Sequence, residues 1–220
     1  SAPLAAALHT RLADEAGVTV LERYGMTETV MLVSNPFDGE RRPGAVGIPL
    51  PGVDLCLDEG SGEVLVRGPS VFAGYWERPE ATAEAFMVDP EGGDAWFRTG
   101  DLGAVDADGY VRIVGRTKDL IITGGFNVYP REVDDALAPH PAVAEVAVAG
   151  IGSEEWGEEV VAWVVPAEGL DCPSIEELRA FARDALASYK LPRRVVAVST
   201  LPRNALGKVM RHELRLADPD

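Results

Sequence analysis

The chain of 220 residues carries 20 Lys plus Arg against 36 Asp plus Glu, a formal net charge of −16. With 46% hydrophobic and 25% charged residues its composition is that of an ordinary globular protein, long enough for one large domain or two small ones. The acidity argues against a nucleic-acid partner, and no apolar run approaches the ~20 residues a membrane-spanning helix needs. Cys56 and Cys172 lie far apart and suggest no disulfide framework, which fits a reducing cytoplasm. His9, His140 and His212 show no metal-ligand spacing, so zinc chemistry is not expected.

In chain order, Leu4, Leu8 and Leu12 recur at helical spacing, Gly17 stops that helix, and Val18 to Leu21 reads as a buried strand. A helix feeding a strand this early resembles the middle of an α/β unit and suggests truncation. Residues 35–55, rich in Pro and Gly around Glu40-Arg41-Arg42, read as an exposed connection. Val53 to Leu57 and Val64 to Arg67, joined by Asp58-Glu59-Gly60-Ser61-Gly62, form a predicted hairpin. A short helix is predicted over 80–87, and a second hairpin over 102–114 turning on Asp108-Gly109. Residues 53–114 thus read as a small antiparallel β unit. After Gly115 helices and strands alternate: a helix from Pro130 to Leu137, then strands Val143–Ala149 and Val160–Val165. Ser174 with Glu177 forms a capping box ahead of a buried stripe of Ile175, Leu178, Phe181, Ala182, Ala185 and Leu186. A strand Val195–Val198 and a short helix ending near Leu216 complete a compact α+β domain that begins at about Lys118.

Five short segments can carry chemistry. In Tyr24-Gly25-Met26-Thr27-Glu28, after the first predicted strand, a ring can stack on a base, a hydroxyl can bond a phosphate and a carboxylate can hold Mg²⁺. Asp101, in Phe97-Arg98-Thr99-Gly100-Asp101-Leu102, can accept bonds from ribose hydroxyls. Arg116, in Gly115-Arg116-Thr117-Lys118-Asp119, can clamp ribose or phosphate with its planar fork. Gly124-Gly125-Phe126-Asn127 leaves room for a slender ligand beside the backbone. Lys208, in Leu201-Pro202-Arg203-Asn204-Ala205-Leu206-Gly207-Lys208, can deliver a cation to a developing negative charge. Taken singly, each also reads as something plainer: an ordinary loop, a capped turn, an interdomain salt bridge, a tight turn or a solvated surface charge.

Taken together and in this order, the segments resemble the AMP-forming adenylating enzymes: acyl-CoA synthetases, peptide-synthetase adenylation domains and luciferases. Tyr24 to Asp101 spans 77 residues, Asp101 to Arg116 spans 15 and Arg116 to Lys208 spans 92. Gly62-Glu63-Val64-Leu65 with Gly68 and Gly74-Tyr75-Trp76 adds a further landmark. Leu21 to Thr29 followed by Gly44 to Val53 is most similar to malonyl-CoA and methylmalonyl-CoA synthetases.

The resemblance implies activation of malonate or methylmalonate with ATP and Mg²⁺ to an acyl-adenylate, then transfer to CoA with release of AMP and pyrophosphate. It implies that Tyr24 stacks on adenine, Thr27 bonds the α-phosphate, Glu28 holds Mg²⁺, and Asp101 takes the ribose hydroxyls beside Arg116. Glu22 and Gly125 join the cofactor-binding positions, the Gly124-Gly125 loop serving the pantetheine arm. Met26 lines the acyl pocket, Lys118 is the hinge, and Lys208 bridges the α-phosphate and the acyl carboxylate. Residues 1–117 are then expected to be the C-terminal part of the large ATP- and acyl-binding domain, an α/β piece plus the β unit. Residues 118–220 are expected to be the mobile C-terminal domain. Asn127 stands where some relatives carry arginine and receives no role. A Ser/Thr/Gly-rich phosphate loop with its lysine is absent from the sequence, so the chain reads as the C-terminal portion of a longer enzyme, inactive without the preceding portion. Two alternatives stay open: an adenylation domain that loads a carrier protein, and a non-catalytic module recognised by a lysine acyltransferase acting on Lys208.

Overall fold

The computed structural model describes residues 4, 6–89, 92–205 and 207–214, and the chain divides into two compact units at Thr117/Lys118. In the first unit, helix α1 (Ala6–Ala16) ends at Gly17, whose N–H returns to the Ala13 carbonyl at 3.1 Å. The strand expected at 18–21 does not form, and Val18 is exposed. Side chains occupy the carbonyls that a neighbouring strand would have used: Arg41 donates to Thr19 at 2.6 Å, and the buried His9 ring lies 3.1 Å from the Val20 oxygen. Strand begins instead at β1 (Arg23–Met26), antiparallel to β2 (Val30–Ser34), which pairs antiparallel with β3 (Ile48–Pro49). The first sheet is therefore an antiparallel ribbon, and Tyr24 to Met26 lie within a strand rather than after one.

The connection expected to be exposed over 35–55 is partly core. Asn35, Ala45 and Val46 are buried, and the Asn35 amide donates to the Ala45 carbonyl at 2.7 Å while accepting from Arg42 N at 3.1 Å. The Pro and Gly content marks irregular backbone; one buried amide side chain satisfies it where a ladder cannot. Arg42 lies over the Tyr110 ring and pairs with Glu40, Asp106 and Asp108, tying this segment to the next sheet.

That sheet contains both expected hairpins. Strands β4 (Asp54–Leu57), β5 (Glu63–Arg67), β6 (Phe86–Met87), β7 (Trp96–Val105) and β8 (Val111–Arg116) run in the order β4-β5-β7-β6, with β8 also on β7, and all pair antiparallel. The first turn is closed by Asp58 Oδ1, which accepts from Gly60 N, Ser61 N and the Ser61 hydroxyl. Helix α2 (Pro79–Ala85) covers the expected 80–87 except its last two residues, which form β6. Leu32, Val33 and Val46 pack with Val64, Val66, Phe97 and Val111, fusing the two sheets into one core.

The second unit is built on β9 (Ile121–Thr123), β10 (Phe126–Val128), β11 (Val143–Ser153), β12 (Gly157–Pro166) and β13 (Arg194–Ala197). The order is β10-β9-β12-β11, with β13 parallel to β12. Helices α3 (Pro130–Leu137) and α4 (Ile175–Ala182) bury Val133, Leu137, Leu178 and Ala182 against Val148, Val160, Ala162 and Val164. The alternate residues Ala147, Val161 and Trp163 pack with Leu201 and Leu214 in a separate cluster, as the strand period of two requires. The capping box is present, with Glu177 N donating to Ser174 Oγ at 3.2 Å and Ser174 N to Glu177 Oε2 at 2.8 Å. The stripe behind it is narrower than expected. Phe181 is exposed, meeting His140 edge-on at 4.9 Å, and Ala185 is exposed because α4 ends at Ala182 and helical spacing no longer applies. The last element among the described residues is a 3₁₀ turn at Arg211–Glu213; Leu214 follows in extended backbone, and residues 215 and 216 of the expected helix lie outside the described residues.

Candidate active site

The hairpin β1–β2 delivers the first motif. Thr27, Glu28 and Thr29 form its tight turn, with Thr29 N donating to the Met26 carbonyl at 3.2 Å. Gly25 is required by close approach: a Cβ there would fall 1.9 Å from the Val30 oxygen. The resulting bulge between Tyr24 and Gly25 leaves Tyr24 opposite Val33 and Gly25 opposite Met31.

Three predicted residues meet directly. The Tyr24 hydroxyl donates to Asp101 Oδ2 at 2.7 Å, and Arg116 Nε approaches Asp101 Oδ1 at 2.8 Å. Asp101 is 4% exposed. Burial, and then the neighbouring Asp101 carboxylate, push the Tyr24 phenol well above its ordinary value, so it remains a donor. An ionised carboxylate offers about four lone-pair sites. With one donor on each oxygen, Asp101 retains acceptor capacity for the two hydroxyls of a vicinal diol.

Met26, Glu28 and Arg116 line one cleft of about 460 Å³ together with Tyr75, Phe97, Arg98, Thr99 and Gly100. Glu28 is held twice by the loop preceding α2: its carbonyl accepts from Phe72 N at 2.8 Å, and Oε1 accepts from the Tyr75 hydroxyl at 3.1 Å. Burial and the Glu28 carboxylate raise the Tyr75 phenol above its ordinary value. Glu28 is a hard oxygen donor, and among the described residues no group of three or more His, Cys, Asp or Glu could enclose a metal. That donor set suits Mg²⁺, which keeps waters and takes ligand phosphates alongside one or two carboxylates. Thr27 is exposed at the turn, and the Glu22 carbonyl accepts from Asn35 N at 3.0 Å, securing the entry to β1. In the amino-acid order Glu63 and Tyr75 stand only as landmark residues, and Arg98 only as part of the segment around Asp101. A signal was available for Glu63: it is a lone charge opening the buried run Val64-Leu65-Val66.

The remaining predicted residues belong to the second unit. Lys118 is exposed in the 3₁₀ turn Thr117–Asp119. Gly124 and Gly125, at φ +55° and +81°, form the two-residue turn between β9 and β10, a type I′ geometry that excludes most side chains. Lys208 is half-buried on a loop that closes on itself: Lys208 N donates to Asn204 Oδ1 and Asn204 N to the Lys208 carbonyl, both at 2.9 Å. Arg203 donates to the Gly207 carbonyl at 2.6 Å and pairs with Glu145. Three residues on, Arg211 pairs with Asp134 of α3 and donates to the Val148 carbonyl at 2.7 Å, while Val148 N donates to Asp134 at 2.8 Å. Both polar groups of Val148 on β11 are thereby satisfied, and the loop is anchored to the sheet.

Residues 1–76 match the AMP-binding enzyme family and residues 132–208 match the AMP-binding enzyme C-terminal domain. A malonate–CoA ligase of Arabidopsis thaliana is 43% identical over 215 residues, covering 90% of this chain and 34% of that protein. A 2-succinylbenzoate–CoA ligase of Geobacillus kaustophilus (strain HTA426) is 44% identical over 215 residues, covering 93% of this chain and 42% of that protein. The crystal structure of ATP-bound MatB from Rhodopseudomonas palustris superimposes with a TM-score of 0.88 at 44% identity, over 96% of this chain and 43% of that one. The chain thus spans well under half the length of these relatives. On these matches and its mixed α+β architecture, the chain belongs to the superfamily of AMP-forming adenylating enzymes and corresponds to their C-terminal portion.

Proposed function

We propose that the polypeptide carrying this chain joins a small dicarboxylic acid, malonate or methylmalonate, to CoA through an acyl-adenylate, releasing AMP and pyrophosphate. The observation that carries this reading is the meeting of Tyr24, Asp101 and Arg116, of which Arg116 shares the lining of one cleft with Met26 and Glu28. Tyr24 stacks on adenine, Asp101 accepts from the ribose hydroxyls with Arg116 alongside, and Thr27 bonds the α-phosphate. Glu22 and Gly125 complete the cofactor contacts. Mg²⁺, bound through Glu28, neutralises phosphate charge. Met26 limits the substituent beside the acyl carboxylate. Residues 1–117 act as the distal part of the large ATP- and acyl-binding domain. Residues 118–220 act as a mobile domain that pivots at Lys118, brings Lys208 to the α-phosphate and acyl carboxylate for adenylation, and withdraws it for thiol transfer. The substrate class is supported by the malonate–CoA ligase among the relatives. The two free thiols, Cys56 and Cys172, favour a reducing cytoplasm as the setting.

The test is ATP–pyrophosphate exchange across a panel of malonates, succinate and fatty acids. Exchange dependent on malonate or methylmalonate supports the reading. Exchange only with long-chain or aromatic acids overturns the substrate, and exchange with none of them overturns the activity. Shrinking Met26 to Ala should change the ranking of 2-substituted malonates; an unchanged ranking removes it from the pocket.

A further inference from the structure

We infer that Glu63 is a positioning residue for nucleotide recognition, acting through the backbone of Gly100 to aim the Asp101 carboxylate. This rests on the reading of Asp101 as the ribose acceptor. The ladder between β5 and β7 breaks beside the site: Glu63 faces Leu102 and Leu65 faces Arg98, so the single residue Val64 of β5 stands against three of β7. The surplus lifts Thr99, Gly100 and Asp101 out of the regular pairing with β5, while Asp101 stays paired with Arg116 of β8, and Gly100 takes φ +71°. A bulge of this kind orphans ladder donors and acceptors, each of which needs a partner when buried. Two side chains supply them. The Thr99 hydroxyl donates to the Val64 carbonyl at 2.8 Å and accepts from Asp101 N at 3.1 Å. Glu63 Oε1 accepts from Gly100 N at 2.9 Å.

Glu63 is 3% exposed, and its other oxygen accepts from Arg98 Nε at 3.0 Å and Nη2 at 2.8 Å. Arg98 is half-exposed on the cleft wall. One carboxylate therefore spends one oxygen on the peptide immediately before Asp101 and the other on a cation at the cleft. Without the Gly100 contact, Thr99 is, among the described residues, the one side-chain tie left between the 99–101 backbone and β5. The Asp101 carboxylate then keeps its partners Tyr24 and Arg116, and its backbone keeps Thr99 and β8, but the peptide immediately before it loses the hold that sets its direction. A purely structural Glu63 would lower stability and leave recognition of the ribose untouched.

The experiment compares binding of ATP and 2′,3′-dideoxy-ATP to the polypeptide containing residues 1–220, in wild type, Glu63→Leu and Glu63→Gln. Wild type should prefer ATP by about tenfold or more, because the site holds acceptors for the missing hydroxyls. Glu63→Leu should bring that ratio to about twofold or less. Glu63→Gln, which keeps an oxygen for the Gly100 N–H, should restore most of it. If Glu63→Leu does not fold, Glu63→Asp carries the same test, since it keeps the charge but is one methylene too short to reach Gly100. A wild type with no preference would overturn the ribose reading of Asp101. A wild type that discriminates beside a Glu63 variant that discriminates equally would overturn the inference about Glu63 alone. Equal loss in Glu63→Gln and Glu63→Leu would also overturn it, because the Arg98 ion pair rather than the Gly100 contact would then be responsible.

Discussion

The two units hold their chemistry in opposite ways. In the first, Tyr24 and Asp101 are 77 residues apart and Tyr75 and Glu28 are 47 apart, so the site exists only when distant strands assemble. In the second, the loop of Lys208 is closed by bonds between residues at most eight apart, and the sheet beneath anchors its ends. The difference follows from the task proposed for each. A pocket that must recognise a diol and a base needs groups whose directions are set by buried, long-range contacts. A cation that must arrive and leave can sit on a self-contained loop, provided the domain beneath it is rigid. The sharpest way to break this comparison is Lys208→Ala. Adenylation should fall by at least ~10²-fold, as for loss of a transition-state cation, while thioester formation from supplied acyl-adenylate largely survives. Rapid-quench measurement of both half-reactions decides it, and equal loss in both would remove the pivoting role.

Rigidity beneath the loop is the next claim at risk. Arg211 and Asp134 have side chains only 20% and 16% exposed, and burial, the foremost influence on Asp134, pushes its carboxyl up even against the opposing guanidinium. Removing Arg211 leaves that carboxylate without its cation. Arg211→Ala should therefore cost about 3 kcal/mol, in the range for breaking a buried pair from one side. Denaturant unfolding would show it, and hydrogen exchange at the Val148 amide, which donates to Asp134, should report the same loosening. A change below about 0.5 kcal/mol would mean the pair is solvated and the loop's anchor lies elsewhere.

Tyr24→Phe sharpens the same contrast in the first unit. It deletes one hydroxyl that donates to Asp101 Oδ2 and leaves the ring available to stack. Loss of a hydrogen bond to a charged group, about 1.5–3 kcal/mol, predicts an ATP affinity weaker by roughly ten- to a hundredfold at most. Direct binding measurement checks it, with kcat for adenylation expected to move less than KM. If kcat falls and KM holds, the hydroxyl belongs to the chemical step instead.

What could be read from the amino-acid order follows the same division. Local devices were legible: Ser174 with Glu177, the turn at Asp58, Pro130 opening α3, and the strands over Val143–Ala149 and Val160–Val165 all formed as expected. Each depends on neighbours within a few residues. Val18 to Leu21 was apolar enough for a strand, but Arg41 and His9 took its carbonyls, and neither interaction is visible in a local window. Residues 35–55 looked like solvent-facing chain because Pro and Gly break regular structure, yet Asn35 carries the hydrogen bonding that lets the segment enter the core. At the candidate site, the motif residues stand out by their types and order. Glu63 and Tyr75 were not assigned roles, because their importance lies in what they hold, at separations of 37 and 47 residues.

The smallest expected effect also separates local from distant support. Ser174→Ala removes a cap whose hydroxyl accepts from Glu177 N, and should cost about 1 kcal/mol by urea titration. Bonds from the Ser174 backbone N–H, then from its hydroxyl, hold the Glu177 carboxyl below its ordinary value of 4.5. A carboxylate whose folded value is lowered adds stability above its unfolded value, and that contribution is lost as pH falls through the folded value. The wild-type advantage over Ser174→Ala should therefore be widest at neutral pH and shrink below about pH 4.5, as the cap's carboxylate is protonated in both. Asp58 should behave alike, since the Ser61 hydroxyl and N–H hold its carboxyl below 3.8, but its loss falls on the β4–β5 hairpin of the first unit. If acid exposes both turns while the Tyr24–Asp101 contact persists, the local devices are dispensable to the assembled site. If nucleotide binding disappears together with them, the pocket depends on its hairpins as much as on its long-range contacts.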